Sequence, residues 1–109
     1  MMAEDYKKEF GQRIIKHFLD IQILKLIIME PMWGYKIKKT LEADWGTKLT
    51  HSALYPSLKQ LEENGLIFSQ KQNQQGRDRK VYAPTERGKM YLQCYYSVIE
   101  EQIRNRKIV

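Results

Sequence analysis

At 109 residues the chain has room for one domain with a small core, and its 42% apolar content can fill one. A formal charge of +6 favours anionic partners, nucleic acid before a membrane surface, and a chain of this size leaves apolar surface that a second subunit can cover. The single cysteine, Cys94, excludes an intrachain disulfide and a CxxC pair.

The first residues, Met1-Met2-Ala3-Glu4-Asp5, lack the apolar run of a signal peptide. Leu24 to Met29 is too short to span a bilayer, so a cytoplasmic protein with no membrane partner is expected. Residues 4–18 predict an amphipathic helix with Phe10, Ile14 and Phe18 as its stripe. Asp20 is the expected N-cap of a second helix reaching Glu30, and Pro31 stops it. Ile23, Leu24, Leu26, Ile27 and Ile28 cover more than one face of that helix, so it should be buried.

Trp33-Gly34 reads as a turn before a short helix over 35–42. Ile37 and Leu41 should face inward there, with Lys36, Lys38 and Lys39 wet, and Trp45-Gly46 closes the segment. Thr50 or Ser52 then opens a further helix with two faces: Leu54, Leu58 and Leu61 inward, and Ser52, Tyr55, Pro56 and Lys59 outward. Its end is a Schellman stop, with Asn64 as C-cap, Gly65 at C′ and Leu66 packed back on Leu61. Pro56 removes an amide donor and implies a bent or restarted first turn, unless it lies near the true N-terminus. A strand from Ile67 to about Gln72, a polar tip over 73–76 and a returning strand from Arg79 to Ala83 follow. Thr85 caps a long last helix reaching about Arg106.

This order predicts a mainly α chain with a small β-hairpin: a winged helix-turn-helix with an additional N-terminal helix and a long C-terminal dimerisation helix. The expected division is an N-terminal helix making dimer contacts over 1–19, the winged helix over 20–84 and the C-terminal helix over 85–109. In such a fold the second helix of the motif enters the major groove, its N-terminal part leading. Ser52 can meet a base edge or phosphate, Tyr55 a thymine methyl, sugar or phosphate, and Lys59 a phosphate or a guanine. The alternative is a solvated polar face. Lys71, Arg77, Arg79 and Lys80, against the single acid Asp78, make the wing a phosphate or minor-groove contact, and also a charged edge that resists aggregation. Part of the Lys36, Lys38, Lys39 cluster touches phosphate on this reading.

Leu92, Tyr95 or Tyr96, Ile99 and Ile103 recur at spacings of three and four, a seam that another copy of the chain can cover; packing on the chain's own first helix is the alternative. With Phe10, Ile14 and Phe18 they form the expected dimer interface. His17 and His51 are isolated, Cys94 reads as a helix-face residue, and no glycine-rich phosphate loop exists. Neither an enzyme nor a metal or cofactor is expected.

The motifs resemble the PadR family of transcriptional regulators: Glu30-Pro31-Met32-Trp33-Gly34-Tyr35, Ala53-Leu54-Tyr55-Pro56-Ser57-Leu58, Leu61-Glu62-Glu63-Asn64-Gly65-Leu66, Arg79-Lys80-Val81-Tyr82 and Thr85-Glu86-Arg87-Gly88. Trp33 stands where the family often has His, and Val81 where it has a second wing aromatic. The resemblance, to the smaller subfamily with one C-terminal helix, implies a homodimeric repressor on double-stranded DNA, released by a small aromatic or cationic effector. It makes Tyr35, Ser52, Tyr55, Pro56, Lys59, Arg79 and Lys80 DNA-facing and Gly65, Gly88 and Tyr82 structural. Drug-binding members carry a tryptophan midway along the last helix; here Tyr95, Tyr96 and Ile99 are the candidates for an aromatic effector. Two other functions stay open: a sensor whose main site is the dimer interface, and a protein-interaction winged helix without DNA binding.

Overall fold

The computed structural model describes residues 2–105. Among these residues the order is α1 (Met2–His17), α2 (Leu19–Met29), β1 (Met32–Trp33), α3 (Gly34–Trp45), α4 (His51–Glu63), β2 (Ile67–Gln74), β3 (Arg77–Pro84) and α5 (Glu86–Arg104). Arg106, the expected end of the last helix, lies outside the described residues.

α2 is the buried axis of the domain. Ile23, Leu24 and Ile27 are fully enclosed and join Ile37 and Leu41 of α3, Leu54, Leu58 and Leu61 of α4, Leu66 and Ile67 in one core. The expected inward faces of α3 and α4 are therefore the observed ones. Asp20 is not the cap of α2. That position falls to Phe18, which makes no side-chain cap bond, while Asp20 accepts from the amide of Ile21 at 2.8 Å inside the first turn. α1 is also turned relative to its expected stripe. Gly11 and Ile15 face inward, because the Trp45 ring comes within 3.3 Å of where a Cβ on Gly11 would stand, and Phe10 and Phe18 stay exposed.

The ends of α4 follow its sequence. Thr50 is the N-cap, its hydroxyl accepting from the amide of Ala53 at 3.2 Å. At the other end Leu66 N–H bonds the carbonyl of Leu61 and Gly65 N–H that of Glu62, both at 3.0 Å. Gly65 takes φ +73° between them, the left-handed backbone this stop requires. The helix does not restart at Pro56; it runs as one element from His51 to Glu63.

The sheet has three strands in the order β1-β3-β2, not the expected two. Met32 and Trp33 pair antiparallel with Tyr82 and Val81 of the returning strand. β2 and β3 run further than expected, from the Ile67–Pro84 pair to Gln74–Arg77, and the tip shrinks to Gln75-Gly76. Both tip residues have positive φ, the two-residue turn that matches strand twist.

Thr85 ties the wing to α5. Its hydroxyl accepts from the amide of Gly88 at 3.0 Å and donates to the carbonyl of Gly65 at 2.7 Å. Thr85→Ala loses the cap and the bond together, an expected cost of about 2 kcal/mol. Urea unfolding checks this, and Thr85→Ser should restore most of the loss. An unchanged midpoint in the Ala variant would mean the two bonds contribute nothing.

Candidate nucleic-acid interface

The outer face of α4 is built by its N-terminal turns. Ser52, Tyr55, Pro56 and Lys59 are all exposed, the opposite side from Leu54, Leu58 and Leu61. Ser52 shares a 3.1 Å hydroxyl contact with the capping Thr50. The Tyr55 ring stacks on His51, with centroids 4.8 Å apart and planes 21° from parallel. The Tyr55 hydroxyl comes so close to α3 that a Cβ on Gly34 would lie 2.7 Å from it. Gly34 is thus the clearance that lets the first turn of α3 and the outer face of α4 meet. Tyr55 both faces outward and closes this junction. His51, isolated in the sequence, belongs to the same surface.

Tyr35 is exposed in the first turn of α3, with Lys39 one turn on and its ammonium 5.5 Å from the ring centroid. The lysines of α3 are not uniformly wet. Lys38 is mostly covered and pairs with Glu42 at 3.3 Å, and Lys39 reaches the same carboxylate at 3.7 Å. Glu42 also accepts from the amide of Leu49 at 2.9 Å. That backbone bond, assisted by Lys38 and Lys39 and opposed by burial, holds the Glu42 carboxyl below its ordinary range. Glu42 thereby fixes the loop that leads into α4. Lys36 pairs with Glu30 at 3.5 Å, both largely exposed.

In the wing, alternation sends neighbouring residues to opposite faces. Arg79 goes to the side of Trp33, its guanidinium carbon 3.4 Å from the ring centroid. Lys80 goes to the other side and reaches Glu62 of α4 at 3.7 Å. Glu62 accepts a hydrogen bond from the Ser69 hydroxyl at 2.9 Å, so it holds both strands of the wing. Tyr82, buried on that face, has its phenol pushed up, first by burial and then by the Glu62 charge and Tyr55. Arg77, beside the tip, is exposed. Among the described residues Lys59, Arg77 and Arg79 have no carboxylate partner, whereas Lys36, Lys39 and Lys80 do. Sequence reasoning missed Trp33 and Glu62 as members of this surface. Period-two alternation separates Arg79 from Lys80 on paper, but their partners lie far away in the chain.

The residues expected at a dimer interface divide. Leu92 is 4% exposed and belongs to the chain's own interior, so it leaves the seam. Phe10 and Ile103 are each more than half exposed, as are Met2, Tyr6 and Val98 on the same two helices. Ile14, Tyr95, Tyr96 and Ile99 are half-buried. Phe18 and Tyr95 contact within the chain, centroids 6.0 Å apart, and Tyr95 lies 5.8 Å from Tyr96. A groove of about 1260 Å³ opens beside α4, with Pro56 of α4 and Met90, Tyr91 and Cys94 of α5 on its wall; Tyr95, Tyr96 and Ile99 do not line it. Asp20 raises the Tyr91 phenol there by its charge. No described helix is long and apolar enough to cross a membrane.

None of the curated proteins matches the sequence. Among solved structures the chain is similar to a PadR family regulator of Eggerthella lenta DSM 2243, at 27% identity and TM-score 0.68 over 94% of each chain. A PadR family regulator of Clostridium difficile R20291 shares 27% identity over 81% of this chain and 95% of that one, with TM-score 0.71. Bacillus subtilis PadR, solved in complex with operator DNA, is 28% identical with TM-score 0.66; the match covers 85% of this chain and 50% of that longer one. The pattern described as the transcriptional regulator PadR-like family matches residues 23–94, from the buried axis of α2 to the middle of α5. The chain belongs to the PadR-like family of transcriptional regulators.

Proposed function

We propose that the chain is a homodimeric, sequence-specific DNA-binding repressor. The observation that carries this is the meeting of three elements on one surface: the outer turns of α4, the first turn of α3 and the wing, joined through Tyr55, Gly34, Trp33 and Arg79. Lys59, Arg77 and Arg79 stand on it without carboxylate partners among the described residues. Ser52, Tyr55 and Pro56 face the bases, Tyr35, Lys36, Lys39 and Lys59 the phosphates, and Arg77, Arg79 and Lys80 the adjoining backbone or minor groove. The operator complex of Bacillus subtilis PadR supports the reading. Residues 20–84 read DNA, and 1–19 with 85–109 assemble the dimer. Two α4 helices then enter successive major grooves roughly 34 Å apart on a pseudo-palindromic site. The test is selection from a random-sequence DNA pool. Enrichment of paired half-sites about one turn apart is expected, and a pool that stays random overturns the proposal.

The apolar residues left exposed on α1 and α5 support the dimer. Light scattering should give twice the 13.1 kDa chain mass at micromolar concentration. Phe10→Asp combined with Ile103→Asp should bring it to the monomer value. A monomeric parent protein would sink the dimer.

A second reading draws on the Phe18, Tyr95, Tyr96 cluster, which offers ring faces to a small aromatic effector. Footprinting with and without planar aromatic compounds tests it. An unchanged footprint at saturating ligand removes it.

A further inference from the structure

Arg79 and Trp33 form the closest cation–ring contact in the described chain, and the sheet register explains why they meet. Trp33 is paired with Val81, and Arg79 lies two residues along the same strand, on the same face. A guanidinium carbon 3.4 Å from the ring centroid lies flat on the ring, because an edge-on approach would interpose a nitrogen and its hydrogen. The other side of the contact continues into α3. Trp33 is the N-cap residue of that helix, Tyr35 follows at a centroid distance of 5.6 Å, and Lys39 sits over Tyr35. Wing and α3 are thereby joined by four consecutive rings and cations: Arg79, Trp33, Tyr35, Lys39. On the opposite face of the wing Lys80 is drawn to Glu62 of α4. The wing is gripped from both sides, and only the Arg79 side leaves its cation without a carboxylate among the described residues.

A flat stack uses the π-face of the guanidinium and leaves its N–H edges outward in a fixed plane. That is the condition for donating two parallel hydrogen bonds with little further ordering. We infer that Trp33 is a positioning residue that holds the Arg79 fork for a two-acceptor contact on DNA, either two oxygens of one phosphate or two of the N3 and O2 acceptors on base edges in the minor groove. This rests on the DNA-binding reading above. It goes beyond that reading in assigning Arg79 a planar, geometry-dependent role instead of a point charge, and in giving a reason for Trp33. A lysine at position 79 would keep the charge and lose both the stack and the fork.

The test uses a duplex enriched from a random pool by the parent protein, with anisotropy titrations over a range of salt. Lys59→Ala in the same assay reports on DNA binding as such; if no duplex is enriched, it is the DNA reading that fails. Arg79→Lys is expected to lose about as much affinity as Arg79→Ala, on the order of tenfold. Trp33→Ala should lose several-fold with an unchanged salt slope, since no charge is removed, and Trp33→Phe should recover most of it. In a Trp45→Phe background, Arg79→Ala should shift the emission of the one remaining tryptophan, Trp33, in free protein. Thermal melts of each variant confirm that it is folded. A uniform loss over all sequences assigns the acceptors to phosphate, and a relaxed preference for A·T over G·C pairs at the wing position assigns them to the minor-groove base edges. The inference is overturned if Arg79→Lys binds as the parent does, or if folded Trp33→Ala keeps full affinity.

Discussion

Lys59→Ala with Arg77→Ala is expected to lower DNA affinity at least a hundredfold at low salt, from the loss of charged hydrogen bonds in both subunits of a dimer. The plot of log affinity against log salt should flatten by about 3.6 for a dimer and by about half that for a monomer, at roughly 0.9 per phosphate contact. These two positions give the cleanest reading because neither cation has a carboxylate partner among the described residues. Replacing Lys80 would also release Glu62 beside the DNA, and replacing Lys39 would disturb the Glu42 carboxylate that holds Leu49. Such variants mix a lost attraction with a new repulsion. Anisotropy titrations at four or more salt concentrations check the prediction. A slope equal to that of the parent protein would show that Lys59 and Arg77 touch no phosphate.

The contrast between these cations also marks how far the sequence could be read. Most limits that depend on neighbouring residues were legible, the start of α2 excepted, where Phe18 and not Asp20 stands at the cap. Thr50, one of the two expected candidates, and Thr85 cap their helices, and Asn64-Gly65-Leu66 makes the expected stop, because each bonds within a few residues along the chain. The third strand was not legible. Two residues, Met32 and Trp33, carry no period, and their partners Tyr82 and Val81 lie far along the chain. The α1 stripe misled for a similar reason. Gly11 faces inward only because Trp45 arrives against it. At the candidate interface the residue types and the two faces of α4 could be read from spacing. The pairing of Lys36 and Lys80 with carboxylates, the flat stack of Arg79 and the place of Glu62 could not, since each joins separate parts of the fold, whereas Lys39 and Glu42 pair within α3 at a spacing of three. Leu92 fits a helical seam in sequence and the interior in space. Periodicity says which residues share a face, not what covers it.

Gly88→Ala is expected to destabilise the protein by about 3 kcal/mol or more, near the upper end of what overpacking costs. A Cβ on Gly88 would be driven onto the carbonyl oxygen of Leu66, with its carbonyl carbon at 3.0 Å and the Leu24 side chain at 3.3 Å behind. Most overpacked sites relax by moving a side chain. Here the obstacle is backbone, and that carbonyl already accepts from the amide of Thr85 at 3.1 Å. The carbonyl of the preceding residue, Gly65, accepts the Thr85 hydroxyl. Three elements meet at this point: the end of α4, the start of β2 and the first turn of α5. The close approach of Gly88 therefore sets the direction in which α5 leaves the reading head. In a dimer built through α5, that direction sets the distance between the two α4 helices. Urea unfolding should show the loss, whereas Gly11→Ala, which meets only the Trp45 ring at 3.3 Å and a backbone oxygen at 3.7 Å, should cost clearly less. A Gly88→Ala midpoint equal to that of the parent protein would refute the clash. If the variant folds at low temperature, its α5 must have swung away from Leu66, and its preferred half-site spacing should change with it.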